Sequence, residues 1–420
     1  MTEKLLQFIW QFQYFNRAQL QTSDGEKLDI IFPGKLNANQ GPDFLNAKIR
    51  MGTTVFAGSV ELHLKTSDWN RHRHTEDANY NNVILHVVLQ HDKLFQNPIP
   101  VLELQQRVPA LLLDRYAQLM QEATFIPCAA TIAQTRELTW LSWKERLVAE
   151  RLQRKAALVL QHLQQTGFHW EETFWRLLAR SFGVKVNADA FEELAQTLPV
   201  TILAKQRSSI HQLEALLLGQ ANLLNVTEAD EYTKLLQREY QFLKTKYGLK
   251  PIATPVHFLR MRPGNFPTVR LAQLAMLVHT STHLFSKVLE ETDVLNLKKG
   301  LQVTANDYWH YHYRPAQATA YNAKKLGSSM ADTLIINTIV PALFAYGLHH
   351  KQEVYKEKAM QWLQTLTAES NTITDTFVRL SVHNKTAYDS QALLELKQEY
   401  CDARRCLQFA VGNGLLKACL

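Results

Sequence analysis

Asp43, Glu61, His63 and Lys65 are the side chains whose types and spacing can do chemistry together. Glu61, His63 and Lys65 alternate with Val60, Leu62 and Leu64. In a strand, that alternation puts the polar three on one face, about 7 Å apart in steps of two, and the apolar three on the other. Asp43 follows Pro42 at the start of a second strand-like run, Asp43 to Met51. Two carboxylates on neighbouring strands can share a hard cation, Mg²⁺ or Mn²⁺, which prefers oxygen ligands. Such a cation polarises a phosphoryl oxygen and lowers the pKa of a bound water. A neutral His63 can take a proton from that water or serve as a third ligand, and a nitrogen ligand shifts preference towards Mn²⁺ or Zn²⁺. The plain alternative is a sheet whose second face is solvated, for which Glu, His and Lys are ordinary residues.

Other groups offer chemistry less directly. His72, His74, Asp77, His86 and His91 follow closely in the chain, at a spacing that matches no standard zinc motif. His86 sits inside Val83-Ile84-Leu85-His86-Val87-Val88, where a core histidine is the bland reading. Asp77, Tyr80 and His86 are placed to orient metal ligands if their segment packs over the sheet. Arg260, Arg262 and Arg270 flank the turn Pro263-Gly264 ahead of a helix start, an arrangement that suits phosphate oxygens or, equally, a structural linker. Trp309 to Arg314 reads as a packed aromatic corner before it reads as a base-stacking surface. Cys128, Cys401, Cys406 and Cys419 lack a standard metal spacing and read as buried thiols.

The elements that position these residues follow from hydrophobic period. Glu3 to Phe15 repeats as a helix, Leu20 to Phe32 as a hairpin, Asp43–Met51 and Thr54–Lys65 as strands. Thr66 to Asn82 is polar with a short helix, Val83–Gln90 is a strand, and Pro98 to Leu104 offers another. From Val108 the period becomes helical, with Glu137–Gln165 the longest stretch and Thr268 a natural N-cap for a helix to Thr280. The expected class is α+β: a mixed sheet with flanking helices over residues 1–106, a linker over 107–133 and an all-α domain over 134–420. A chain of 420 residues exceeds one ordinary core, which favours two domains. Its four cysteines are too few for a disulfide framework, so a reducing cytoplasm is expected. No apolar run reads as a bilayer span, and Met1-Thr2-Glu3-Lys4 lacks the basic start of a secretory signal, so no membrane is expected. The net charge of +7 permits a polyanionic partner.

Pro42-Asp43 on one strand, Glu61 on the next, and the order helix, strands, helix, strand resemble the PD-(D/E)xK nuclease superfamily, whose fold is restriction-endonuclease-like. The resemblance implies that Asp43 and Glu61 hold a divalent metal. The superfamily's lysine, which positions the attacking water, falls at His63 here; Lys65 lies one step further on the same face and Lys48 on the preceding strand. Over nearly its whole length the chain also resembles an uncharacterised bacterial family known only as a domain of unknown function (DUF2851-like). That likeness is carried by Gly41-Pro42-Asp43-Phe44, Gly58 to His63, Ser67-Asp68-Trp69, Leu85 to Val88, Asn265 to Gln273 and Tyr400-Cys401.

The expected function is a metal-dependent phosphodiesterase acting on nucleic acid. The catalytic group is Asp43, Glu61, His63 and Lys65, the metal ligands Asp43 and Glu61, the supporting residues Asp77 and His86, and the nucleic-acid contacts Arg260, Arg262 and Arg270. Two alternatives stand beside it: a catalytically inactive module that binds nucleic acid or protein, and a metal-dependent hydrolase on another substrate.

Overall fold

The chain is α+β, with a curled mixed sheet near its N-terminus and helices after it. The computed structural model describes residues 1–37, 40–121, 124–259, 261–281, 283–410, 412 and 414. It divides into two compact units: Met1–Trp143 with Thr376–Val382 and Leu396–Leu420, and Lys144–Asp375 with His383–Glu395.

The first unit is a sheet with a helix on one face. Helix α1 (Glu3–Phe12) starts where the Thr2 hydroxyl accepts from the Leu5 N–H, and ends at Gln13 in the left-handed region. Its spacing turns Leu5, Leu6, Phe8, Ile9 and Trp10 to one side, and the Trp10 indole N–H donates to the Pro33 carbonyl at 2.9 Å. The strands are β1 (Leu28–Phe32), β2 (Lys35–Leu36), β3 (Phe44–Met51), β4 (Thr54–Lys65), β5 (Val83–Gln90) and β6 (Val101–Glu103). They lie in the order β1-β3-β4-β5-β6, with β2 also on β3. β1, β2 and β4 pair antiparallel with β3, whereas β4–β5 and β5–β6 are parallel. Val60, Leu62, Leu85 and Val87 join the α1 residues, Phe44, Ala47 and Ile49 in one buried cluster. Each buried Val, Leu, Ile or Phe side chain among them contributes about 1.5–3 kcal/mol by leaving water. Gly58 is required where β5 begins, because a Cβ there would stand 2.5 Å from Ile84 Cγ2 and 2.6 Å from the Asn82 carbonyl.

Parallel pairing of β4 with β5 needs a crossover. Residues 66–82 supply it as α2 (Asp68–Arg71) and two 3₁₀ turns, His74–Glu76 and Ala78–Tyr80. The α1 side of the sheet is already filled, so the crossover lies over the other face.

The second unit is helical. After α3 (Ala110–Gln121) come α4 (Glu137–Gln165), α5 (Trp170–Phe182), α6 (Ala188–Thr197), α7 (Val200–Lys205), α8 (Ile210–Gln220), α9 (Glu231–Tyr247) and α10 (Pro267–Thr280). The period expected over Ile202 to Leu218 is two helices, because Ser209 restarts the chain as N-cap of α8. Thr268 does not cap α10. Phe266 holds that position, and the Thr268 hydroxyl donates to the Tyr313 carbonyl at 2.5 Å. A short hairpin, His312–Arg314 with Gln317–Ala318, interrupts the all-α pattern. Ser328–His350 is long and apolar enough to cross a membrane, unlike the expectation from sequence, but 72% of its apolar window is buried inside the protein, as in a core helix. It widens to a π-helix over Ile335–Ile339, just ahead of Pro341. Proline lacks an N–H and crowds the carbonyl four residues back, so a wider turn there relieves both problems.

Candidate metal centre

The sheet face that carries Glu61 and His63 is covered, which removes the solvated-face alternative. Glu61 is 5% exposed, His63 1% and His86 0%. Trp69, on α2, is the lid's centre: its ring lies 5.3 Å from His74, 5.1 Å from His86 and 6.0 Å from Tyr80. Its indole N–H donates to the Thr75 hydroxyl. The lid is tied to the strand end by Asp68, which accepts from the Lys65 N–H at 3.0 Å and pairs with Arg71. Asp92 ties it from below by accepting the Ser67 N–H and hydroxyl.

Inside, two carboxylates and four imidazoles meet. The Asp43 N–H donates to Glu61 Oε2 at 3.0 Å, and Asp43 itself accepts from Gln7 Nε2 at 2.7 Å and the Leu62 N–H at 3.1 Å. Glu61 Oε1 lies 3.4 Å from His74 Nε2 and 3.6 Å from His63 Nε2. His63 Nε2 is 3.1 Å from His72 Nδ1, and its Nδ1 is 2.9 Å from His86 Nε2. His63, His72 and His74 place one ring nitrogen each within 4.8 Å of one another. A tetrahedral ion with bonds of about 2.0–2.1 Å would hold its ligand atoms about 3.3–3.4 Å apart. The separations around Glu61 Oε1, 3.4 and 3.6 Å, begin at that value and run slightly above it. His74 Nε2 is buried without a hydrogen bond and faces the same point.

The electrostatics describe a centre short of positive charge. Burial, then the Asp43 charge, pushes Glu61 up to about 9. Burial raises Asp43 to about 6 against the opposing hydrogen bond from Leu62. Burial and neighbouring imidazoles push His63 down to about 2 and His86 to about 3, and His74 is lowered for the same reasons. His63, His74 and His86 are therefore held towards the neutral form, the one that binds metals. Among the described residues no lysine or arginine pairs with Asp43 or Glu61.

The structure brings Asp43, Glu61, His63 and His86 together. Lys65 lies at the exposed end of the same strand. Asp77 caps its own turn by accepting from the Asn79 N–H and acts on His74 through its charge alone. His91 bonds Thr66 instead of joining the group. Of the two histidines set apart from Glu61 in the sequence reading, His74 lies beside Glu61 and His72 beside His63. The signal that could have joined them is topological: a crossover between parallel strands must lie over the face that the core leaves open.

The described members of the second constellation, Arg262 and Arg270, do not share a surface. Arg270 is 7% exposed and donates to Gln273 and Asn265, so it braces α10 from inside. Arg262 is exposed, and Arg260 lies outside the described residues. Tyr308 stacks on His312 at 3.9 Å and Trp309 is fully buried, which is the packed corner expected. Cys128, Cys401 and Cys406 are buried around a cavity of about 10 Å³, and Cys419 lies outside the described residues.

Fold and site together define an α+β protein with a covered imidazole–carboxylate centre. The model of the family described as Protein of unknown function (DUF2851) matches residues 3–372, and the chain belongs to that family. The matched span includes every side chain of the centre. Comparison with curated proteins and with solved structures gave no match.

Proposed function

We propose that this protein is a metal-dependent phosphodiesterase acting on nucleic acid, with the ion held by Glu61 and the imidazoles of His63, His72 and His74. The observation that carries the reading is Glu61 Oε1, buried between His74 Nε2 at 3.4 Å and His63 Nε2 at 3.6 Å. Three nitrogens favour Mn²⁺ over Mg²⁺, and they admit Zn²⁺. A bound ion would polarise a phosphoryl oxygen and make its water a stronger acid. Asp43 holds Glu61 in place through its N–H, and its own charge increases the centre's demand for a cation. His86 fixes the ring of His63 from behind, as the hydrogen-bond partner of a metal-binding imidazole does. His72 is the exposed member, so a substrate would approach from its side. Arg71 and Arg73 flank it on the surface, where they suit phosphate oxygens. In this reading the restriction-endonuclease-like resemblance supplies the substrate class, and the imidazoles replace the missing motif lysine.

The imidazole-rich donor set also favours a second reading, a metal-dependent hydrolase on another substrate, because such donors serve hydrolytic centres of several kinds. The test is a thermal melt in chelator, Mg²⁺, Mn²⁺ and Zn²⁺, alongside cleavage of single- and double-stranded DNA and RNA. The proposal expects a metal-dependent rise in Tm and cleavage, both lost in Glu61→Gln. A metal shift without cleavage moves the site to the second reading. Neither shift nor cleavage leaves a binding module without catalysis.

A further inference from the structure

The helical unit contains a second site with different chemistry. A cavity of about 470 Å³ is walled by α4, α5 and the Ser328–His350 helix. Lys155 and His162 face it from α4, about two turns apart, with apolar Leu158 and Val159 between them. Arg180 faces it from α5 and Lys185 from just beyond. The third wall is the widened turn, which offers Asn337 and Thr338. Four cation-capable side chains thus line the cavity, and among the described residues no carboxylate does.

Carboxylates nearby are committed elsewhere. Glu395 is held by Arg151 at 3.1 Å and Arg154 at 2.5 Å. Asp189 and Glu192 hold Arg180, and Glu192 also stands 3.6 Å from His162. Those two acids fix Arg180 and His162 in place and offset part of their charge. Lys155 is left with neutral partners, the Asn337 amide oxygen at 2.8 Å and the Gln391 amide oxygen at 3.4 Å. No ion pair involves Lys185 among the described residues, and its side chain is exposed at the rim.

We propose that this cavity binds a small phosphate ester, its phosphate held by Lys155, Lys185 and Arg180 and its body packed on the apolar wall. The volume lies within the range of about 300–1,000 Å³ usual for small-molecule sites. A charged head with an apolar body matches the cavity's mixture of cations and aliphatic side chains. The π-helical wall adds an independent mark, since such turns are frequent at functional sites. Burial and the nearby Arg151 lower Lys155 to about 7, so a bound anion would restore the charge that the site otherwise loses.

The site is separable from the metal centre by experiment. The full chain, held in chelator at neutral pH, is titrated calorimetrically with AMP, adenosine and inorganic phosphate. AMP binds, adenosine binds at least about tenfold more weakly, and Lys155→Gln weakens AMP at least about tenfold, the loss of one charged hydrogen bond. Glu61→Gln leaves AMP binding unchanged. The proposal is overturned if wild type binds neither AMP nor phosphate, if adenosine equals AMP, if Lys155→Gln has no effect, or if Glu61→Gln abolishes binding. Should Lys155→Gln fail to fold, Lys185→Gln at the exposed rim decides: several-fold weaker AMP binding supports the site, and unchanged binding overturns it.

Discussion

Two buried glutamates in this protein are treated in opposite ways. Glu395 is 2% exposed and lies against the guanidinium groups of Arg151 and Arg154. Glu61 is 5% exposed and lies against a second carboxylate and neutral imidazoles. Taking a charge out of water is costly unless an opposite charge replaces the lost solvation. Glu395 has that replacement in its own chain, so its environment is complete. Glu61 does not, and its pKa rises to about 9. Glu214 shows a third arrangement: fully buried, bonded to the Tyr232 hydroxyl at 2.6 Å, and raised to about 7 by burial. Glu395 has its counter-charge within the chain, whereas Glu61 has no lysine or arginine partner among the described residues.

The largest expected effect tests the complete glutamate. Glu395→Ala leaves Arg151 buried without its carboxylate and should cost about 3–5 kcal/mol in chemical denaturation. A loss below about 1 kcal/mol would mean that water reaches Arg151 and the contrast with Glu61 is weaker than drawn.

The next tests the incomplete one. Mn²⁺ or Zn²⁺ at a hundred times its Kd should stabilise wild type by about 2.7 kcal/mol, read as a rise in Tm. Glu61→Gln and His63→Ala should remove that rise, and exposed His72→Ala should only reduce it. A full metal shift in Glu61→Gln would place the ion elsewhere.

The third uses pH. Asp43 and Glu61 have folded pKa values raised above the ordinary 3.8 and 4.5, to about 6 and about 9. Acids raised in this way contribute stability that is complete below the ordinary value and lost as pH rises through the folded one. His63 and His86 are lowered from 6.5 to about 2 and about 3, so their contribution is complete above 6.5 and lost as pH falls. Metal-free protein should therefore lose stability between pH 6 and 9, and Glu61→Gln should lose less. A metal-free melting profile that is flat over that range in wild type would show that Glu61 is already ionised in the folded protein.

The smallest effect belongs to Arg262. If nucleic acid binds there, Arg262→Glu should weaken binding and reduce the slope of log K against log salt by about one or two charges' worth. Unchanged affinity and slope would take Arg262 off the binding surface.

Much of the sheet was legible in the sequence because a half-buried strand writes itself as period two. Thr54–Lys65 and Val83–Gln90 are strands over the expected bounds, the first read from its alternation and the second from its β-branched run. Long helices were legible likewise, as at Glu137–Gln165. The short helices Leu284–Glu290 and Val294–Leu301 went unread, since one or two turns carry too few apolar repeats to form a pattern. At the centre, Asp43, Glu61 and His63 were legible as neighbours because strand geometry is local. His72 and His74 were not, because their approach depends on how a polar crossover folds back, and no period records that. Arg270 misled for a related reason: a buried arginine bonded to amides looks, in sequence, like one offered to solvent.

The first unit is completed by residues from the far end of the chain, Thr376–Val382 and Leu396–Leu420. Leu407 packs on the core that α1 and the sheet share, and Phe409 rests on Trp140 and Trp143. At about 5–20 residues per second of synthesis, these segments leave the ribosome on the order of tens of seconds after the sheet. For that interval the core shared by α1 and the sheet lacks Leu407, and uncovered apolar surface in that state invites association with other chains. Chaperone demand during translation should therefore fall on the N-terminal half, and a fragment ending at Trp143 inherits the same exposure permanently.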